Sequence, residues 1–251
     1  MNPVSRKQFI LDELNKSGEV SVLSLSEELS VTSETIRRDL SQLADEGHLV
    51  KIHGGALRKQ IYKEDNFAER LKNMRQAKEA IGKKAIDFIS PNDILFIDSC
   101  TTTLIFSQQI PPLPLTVFTN SSLIAECIKQ KNNFARVYVI GGEYNLEFRA
   151  NLGAEVVERI IDIRADICFL GAGGITPEGG VHVKNIDEAQ VSKAMLKMSK
   201  KRVILADHTK FGQEGVMSIA PLNQIDSIIT DQLLDIEHIS TKDYGKKIII
   251  A

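Results

Sequence analysis

The chain predicts two domains of different class: a small helical domain closed by a β-hairpin, then a larger α/β domain on a Rossmann-like, mostly parallel sheet. Three observations carry this. Three short amphipathic helical patterns, a hydrophobic strand and a Gly-Gly turn are all complete by Ala56. From Ile94 onward, short apolar runs alternate with helical stretches, the mark of βαβ units with right-handed crossovers. At 251 residues, 43% hydrophobic with 16 Gly and 7 Pro, the chain is too long for one small domain and too apolar for disorder. The expected boundaries are 1–57 for the first domain, 58–76 for a polar linker ending in a partly helical arm, and 77–251 for the second.

In the first domain, Phe9, Ile10 and Leu14 share a face of a helix from Arg6 to Leu14, and Leu25 and Leu29 a face of a second from Val22 to Leu29. Ser30 and Val31 make a tight turn. A third helix, from Thr32 to about Glu46, starts at an N-cap threonine with Glu34 in its first turn. Its Ile36, Leu40 and Leu43 recur at i, i+4, i+7 as one buried stripe. The opposite face carries Ser33, Thr35, Arg37, Arg38, Ser41 and Gln42, hydroxyls and guanidinium forks of the kind that reach base edges and phosphates. The third helix therefore reads as the recognition helix of a helix-turn-helix.

After Gly47, the run HLVKIHGGA (His48 to Ala56) supplies a short strand through Leu49, Val50 and Ile52, and a turn at Gly54-Gly55 where φ can be positive. This is a wing, with Lys51, His53, Arg58 and Lys59 on it or just beyond. The DNA-contact candidates are Thr32, Ser33, Glu34, Thr35, Arg37, Arg38, Ser41, Lys51 and His53. A formal net charge of −2 excludes a broadly basic nonspecific binder. The cations Arg37, Arg38, Lys51, Arg58, Lys59 and Lys63 must then act as one local stripe. Affinity per domain is modest, and tight binding to an operator takes two or more domains in a homo-oligomer.

The second domain opens with a helical stripe of Ala80, Ile81, Ala85, Ile86 and Ile89, ending before Pro91. Candidate strands follow at Ile94 to Ile97, Thr116 to Phe118, Ala135 to Ile140, Ala165 to Leu170, Arg202 to Leu205, Ser227 to Ile229 and Lys247 to Ile250. Helices fit between most of them, at Thr103 to Gln109, Ser121 to Gln130, Leu152 to Ile160 and Asp187 to Ser199. Polar and glycine-rich motifs fall just after strands: DSCTTT (Asp98 to Thr103), TNSS (Thr119 to Ser122), GGE (Gly141 to Glu143), GAGG (Gly171 to Gly174) and DHTKFG (Asp207 to Gly212). In a parallel sheet these gather along the carboxyl edge, where ligands bind.

Their chemistry suits a phosphorylated or otherwise anionic polyol. Thr101, Thr102 and Thr103 offer hydroxyls at a helix start, Gly141, Gly142 and Gly171 permit close backbone approach, and Lys210 supplies a point charge for phosphate. Asp98 and Glu188 accept hydrogen bonds from sugar hydroxyls, and Asn120 lies in the same row of loops. Each motif also has a plain role, as a helix cap, a turn or a solvated lysine; their shared edge is the argument.

Cys100, Cys127 and Cys168 are widely spaced with no Cys-x-x-Cys or Cys/His cluster, so they read as reduced thiols and no metal site or cofactor is expected. No apolar run approaches the ~20 residues of a membrane span, and the N-terminal residues Arg6, Lys7, Asp12 and Glu13 are charged. A soluble cytoplasmic protein is expected.

The order helix, TIRRDL, then a strand ending in HGGA resembles the N-terminal domain of DeoR-family bacterial transcription regulators. Asp98 through Thr103, the Gly-Gly after a strand, FLGAGGI and EAQVSKAM…ADHTKFG are similar to that family's C-terminal sensor domain, so the match runs from about Arg6 to Ile250. The resemblance implies a sensor similar in fold to ribose-5-phosphate isomerase that binds a sugar phosphate. It implies a regulator, most often a repressor, of a carbohydrate-utilisation operon, acting on double-stranded operator DNA. The family loop commonly reads Asp-x-Gly-Thr/Ser-Thr, and here Cys100 takes the glycine position. The alternative is a sugar-phosphate isomerase-like enzyme fused to a DNA-binding domain. Isomerases of this fold carry carboxylates where FLGAGGI has Gly173 and Gly174, and the absence of a titratable pair favours binding without turnover.

Overall fold

The structure, a computed structural model, describes residues 2–17, 19–45, 49–52, 54–58, 66–232 and 247–251, and the chain divides into two units, 1–63 and 64–251. The first unit runs α1 (Pro3–Ser17), β1 (Glu19–Ser21), α2 (Val22–Glu28), α3 (Ser33–Asp45), β2 (Leu49–Ile52) and β3 (Gly55–Arg58). Its core is the expected stripe set: Ile10, Leu14, Leu25, Ile36, Leu40 and Leu43 are each at most 2% exposed. Full burial of each such side chain is worth about 1.5–3 kcal/mol, which is how a unit this small closes.

Local chemistry sets the helix starts. The Ser21 hydroxyl accepts from the Ser24 amide at 3.0 Å and begins α2, and the Thr32 hydroxyl accepts from the Thr35 amide at 3.3 Å at the start of α3. Strand β1 was not anticipated, because three residues with Val20 as the only apolar one show no alternation. It pairs antiparallel with β3, giving the order β1-β3-β2. That pairing depends on Gly55, where a Cβ would stand 2.1 Å from the Val20 carbonyl oxygen, while Gly54 turns the hairpin at φ +85°. A second surprise is Asp39 of the TIRRDL run. It is buried and takes a forked ion pair from Arg6, Nε to Oδ2 at 2.5 Å and Nη2 to Oδ1 at 3.2 Å, which locks α1 onto α3.

The second unit begins before the expected boundary at 77. Helix α4 (Phe67–Lys72) is set by a capping box between Asn66 and Glu69, and its Phe67 is buried in a core of this unit. The latter half of the expected linker is thus packed structure; Lys59 to Asp65 lie outside the described residues. Then come α5 (Arg75–Ala85), β4 (Ile94–Ile97), α6 (Thr101–Ser107), β5 (Thr116–Thr119), α7 (Ser122–Lys131) and β6 (Arg136–Val139). A hairpin, β7 (Glu143–Asn145) and β8 (Ala150–Leu152), precedes α8 (Ala154–Ile161) and β9 (Ala165–Gly171). Beyond these are β10 (Gly174–Thr176), β11 (Gly180–Val183), α9 (Ile186–Lys197), β12 (Ser199–Leu205), β13 (Met217–Ala220), β14 (Ser227–Thr230) and β15 (Ile248–Ile250).

The seven strands expected from sequence are the seven strands of one sheet, ordered β15-β14-β12-β9-β4-β5-β6 with every pairing parallel. Successive residues feed opposite faces. Leu95, Ile97, Phe169, Val203 and Leu205 enter a core with residues of α5, α6 and α7, while Phe96, Cys168, Leu170 and Ile204 enter another with residues of α8 and α9. Coverage on both faces is why these strands read as continuous apolar runs. The antiparallel elements, β7-β8 and the three strands β10-β11-β13, were missed because their short, glycine-bearing segments look like loops.

Candidate functional site

Two surfaces carry chemistry, one in each unit. On α3, Thr32, Glu34, Arg37, Arg38 and Gln42 are exposed, and Ser33, Thr35 and Ser41 half-buried. Arg37 reaches Glu34 at 3.6 Å, an exposed i,i+3 contact too loose to restrain the guanidinium. The Thr32 and Thr35 hydroxyls are 2.9 Å apart. Lys51 on β2 donates to the Ser41 hydroxyl at 2.6 Å, so the wing strand and the exposed face of α3 are continuous. His53 lies outside the described residues. Because Asp39 is held by Arg6, its charge does not oppose Arg37 and Arg38 at this surface.

In the second unit the chain passes from β4 outward to β5 and β6, returns to β9 on the other side of β4, and continues to β12, β14 and β15. The order therefore reverses between β4 and β9. The crevice outside the carboxyl ends of such a pair is the usual ligand position in an open α/β sheet. Two of the singled-out motifs meet there. Asp98, just after β4, accepts from the Gly171 amide at 2.8 Å through one oxygen, and from the Thr103 hydroxyl at 2.8 Å and the Cys100 amide at 3.2 Å through the other. Burial raises its pKa against those hydrogen bonds. Asp98 and Thr103 thus hold the loop together and tie β4 to β9.

Cys100 sits where the family loop has glycine, but its backbone is extended at φ −72°, ψ 160°, so no left-handed conformation is required. Its side chain lies against Gly171, where a Cβ would come within 2.6 Å of the sulfur, and its Sγ is 3.8 Å from Glu188 Oε1. Burial, then the charges of Asp98 and Glu188, push the thiol well above its usual pKa. It is a neutral donor to Glu188.

Around this loop stand cations that sequence reading missed. Lys78 of α5 is 4% exposed and donates to the Thr101 hydroxyl at 3.2 Å, to the Asn73 carbonyl at 2.9 Å, and to the Arg70 carbonyl. Burial, opposed by the charge of Asp207 and reinforced by that of Lys210, lowers its pKa from 10.5 to about 8. Arg70 of α4 also acts on the charges of Lys78 and Cys100. No spacing signal flagged either residue, since both belong to helices that precede the sheet. Lys210 is presented by a loop fixed at its start: Asp207 accepts from the Thr209 amide at 3.1 Å, and Asp231 accepts from the His208 amide and faces its Nδ1, each at 2.8 Å.

The remaining candidates divide. Thr101 and Thr102 are buried in the first turn of α6, and Glu188 lies in the first turn of α9 behind the Asn185 cap. Asn120 is 1% exposed; its amide nitrogen donates to the Asn151 carbonyl at 3.0 Å, and its Oδ1 has no hydrogen-bond partner among the described residues. Gly141 and Gly142 do not join the cluster. They follow the edge strand β6, two strands or roughly 10 Å from β4. Gly142 is instead required by packing, since a Cβ there would meet Val156 at 2.5 Å. Among the described residues no group of three or more His, Cys, Asp or Glu is placed to hold a metal ion, and no helix is long and apolar enough to cross a membrane.

A helix-turn-helix unit joined to a parallel-sheet unit with a polar cluster at its switch point defines a transcription regulator with a sensor domain. Residues 6–61 match the model of the DeoR-like helix-turn-helix domain and residues 73–232 that of the DeoR C-terminal sensor domain. The chain belongs to the DeoR family. Similar relatives include the HTH-type transcriptional regulator GolR of Listeria innocua, 35% identical over 94% of this chain and 93% of that protein. The lactose phosphotransferase system repressor of Staphylococcus aureus is 31% identical over 92% and 93%. The L-fucose operon activator of Haemophilus influenzae is 29% identical over 91% and 92%. Among solved structures, ribose 5-phosphate isomerase A of Methanocaldococcus jannaschii aligns at 13% identity over 55% of each chain with a TM-score of 0.41, a likeness too slight to bear on function.

Proposed function

We propose that this chain represses a carbohydrate-utilisation operon in the cytoplasm and is controlled by a phosphorylated sugar or polyol bound at the β4/β9 switch point. The observation that carries the reading is the contact of Lys78 with the Thr101 hydroxyl, with Lys210 and Arg70 near enough to act on the Lys78 charge, beside a loop tied together by Asp98. Cations around hydroxyl donors suit a phosphate. The acceptors Glu188 and the unpaired Asn120 Oδ1 suit sugar hydroxyls. Thr102 and Gly171 line the same loops. The names of the lactose and fucose relatives point to the same class of pathway.

Both oxygens of Asp98 are occupied by the loop's own donors, and Gly173 and Gly174 carry no acid or base, which supports binding over turnover. DNA contact falls to Thr32, Ser33, Glu34, Thr35, Arg37, Arg38, Ser41, Lys51 and His53. A homo-oligomer presents two such faces to half-sites one helical turn, or a multiple of it, apart. Effector binding changes operator affinity through linkage between the two sites.

The test is a thermal-shift screen of the full chain against sugar phosphates, the parent sugars and inorganic phosphate. A ligand at ~100 times its Kd stabilises the native state by about 2.7 kcal/mol. One phosphosugar is expected to raise the midpoint selectively and to change operator affinity in a gel-shift titration. Equal shifts with the unphosphorylated sugar, or none with any compound, would remove the phosphate from the reading.

A further inference from the structure

The outer edge of the seven-stranded sheet at β6 has no strand paired to it among the described residues. The Arg136 and Ile140 amides point inward, donating to the Leu115 and Thr119 carbonyls at 2.8 Å. By the alternation of a strand, the amides and carbonyls of Val137 and Val139 then point outward, away from the sheet. Edge strands are usually blunted by charges, a proline or a bulge. Strand β6 reads Arg-Val-Tyr-Val, with its one charge at the start. Apolar surface gathers at the same edge. Among the described residues, five of the nine large hydrophobic side chains exposed in the second unit fall within 134–146: Phe134, Tyr138, Val139, Tyr144 and Leu146, at 43 to 69%. Together they present on the order of 400–500 Å², at least half of the ~800 Å² that each partner gives to a specific interface. The hairpin that bears the last two is fixed to the end of β6, where the Asn151 side-chain amide donates to the Ile140 carbonyl at 2.9 Å.

Two features single out a second copy of this chain as the occupant. Tyr138 stacks on Phe118 with ring centroids 4.9 Å apart, and Phe118 meets the buried Phe96 at 6.0 Å, so an aromatic row crosses β4 and β5 and stops at an exposed ring on β6. Charge is also divided along the edge. Its start is cationic, with Arg136 and with Lys129 donating to the Ala135 carbonyl at 3.0 Å. Beyond its end the exposed charges of the hairpin are Glu143, Glu147 and Arg149, acidic on balance. A two-fold axis turns one such edge against another and sets each cationic start beside an acidic end.

We propose that two copies of this chain join through β6, antiparallel about a two-fold axis at Tyr138, so that the sheet continues from one sensor unit into the next. The inference rests on the homo-oligomer of the functional reading and supplies its surface. With Tyr138 facing the same residue of the second copy, Val137 of each faces Val139 of the other, and these are the residues whose main-chain groups point outward. The two tyrosines form the closer, non-hydrogen-bonded pair, and the aromatic row runs on through both units.

Sedimentation velocity of the full chain over a concentration series, with circular dichroism to check the fold, is the test. Tyr138→Lys and Tyr138→Glu each set like charges face to face, so either alone is expected to raise the dissociation constant about tenfold or more. Mixed in equal amounts, the two variants should associate more tightly than either alone. Tyr138→Cys should be trapped by mild oxidation as a disulfide-linked dimer, because the Cα atoms of a non-hydrogen-bonded antiparallel pair stand about 4.5 Å apart. Arg136→Cys should not rise above the background of Cys100, Cys127 and Cys168, its counterpart lying roughly 14 Å away. Should a charged variant fail to fold, the cross-linking pair decides.

A chain that stays monomeric at every concentration sinks this inference and the homo-oligomer of the functional reading together. An oligomer that withstands both charged variants and is not linked through Tyr138→Cys overturns this inference alone and leaves that reading standing. Equal linking by Arg136→Cys, or a mixture no tighter than its parts, likewise overturns the two-fold at Tyr138.

Discussion

In the DNA-binding unit, the exposed polar residues from Thr32 to Gln42 are near neighbours on one helix, and a single pattern of buried Ile36, Leu40 and Leu43 fixes which way they face. In the sensor unit, the cluster at the sheet edge draws Arg70 and Lys78 from helices before the sheet, Cys100 and Thr101 from the loop after β4, Glu188 from α9 and Lys210 from the loop after β12. The first surface is local in sequence, held within about a dozen residues of one helix. The second is assembled by topology, so each contributor looks ordinary alone. A difference of this kind separates what stabilises each unit from what gives it function, and single substitutions test the separation.

The largest effect is expected at the buried Arg6–Asp39 pair. Asp39→Ala leaves the Arg6 guanidinium charged and unpaired where it is 8% exposed, a change that typically costs about 3–5 kcal/mol. Scanning calorimetry of the full chain should show the transition of the first unit falling sharply while that of the sensor unit, and its phosphosugar binding, stay in place. One shared transition moving as a whole would show that the two units do not melt independently, and the comparison above would break.

How much of each region could be read from sequence follows from the same contrast. The seven strands of the parallel sheet were legible because both faces are covered, which forces runs such as ILFI (Ile94–Ile97) and SIIT (Ser227–Thr230) to be apolar or β-branched throughout. Strands β1 and β10 were not, because two or three residues beside a glycine carry no period. At the site, Asp98 was legible as part of DSCTTT, yet its work as the tie between β4 and β9 was not, since the Gly171 amide that it holds lies 73 residues away. Lys78 was invisible: on sequence it is one of several lysines on an amphipathic helix, and only the fold shows that it is buried. Gly141 and Gly142 illustrate the reverse case. A Gly-Gly after a strand reads as a ligand approach, yet Gly142 is packed against Val156 and the Leu152 carbonyl while Gly141 faces open space.

A smaller effect, and one that sharpens the comparison, is expected at the DNA surface. Arg37 is exposed and makes only a loose contact with Glu34, so Arg37→Ala should leave both melting transitions unchanged. Operator affinity should fall by roughly 1–3 kcal/mol at fixed salt if its guanidinium contacts a base, with relaxed preference at that base pair. A phosphate contact instead predicts a uniform loss across sequences and a shallower salt dependence. Unaltered operator binding by the folded variant would move the interface off this face of α3.

The smallest expected change lies at the start of α4. Asn66 accepts from the Glu69 amide at 3.0 Å, and the Glu69 carboxylate accepts from the Asn66 amide at 3.2 Å, a reciprocal cap on a helix of only six residues. Asn66→Ala should lower the sensor transition by about 1 kcal/mol. Lys78 and Lys210 are untouched by this change, so phosphosugar affinity should hold. What should change is the link: α4 follows the residues that lead from the DNA-binding unit, and a frayed start loosens its hold on the sensor core through Phe67. The ratio of operator affinities with and without effector should then shrink, although each ligand still binds. An unchanged ratio would mean that α4 packs into the sensor unit without carrying the signal, and the path between the two units would have to be sought elsewhere.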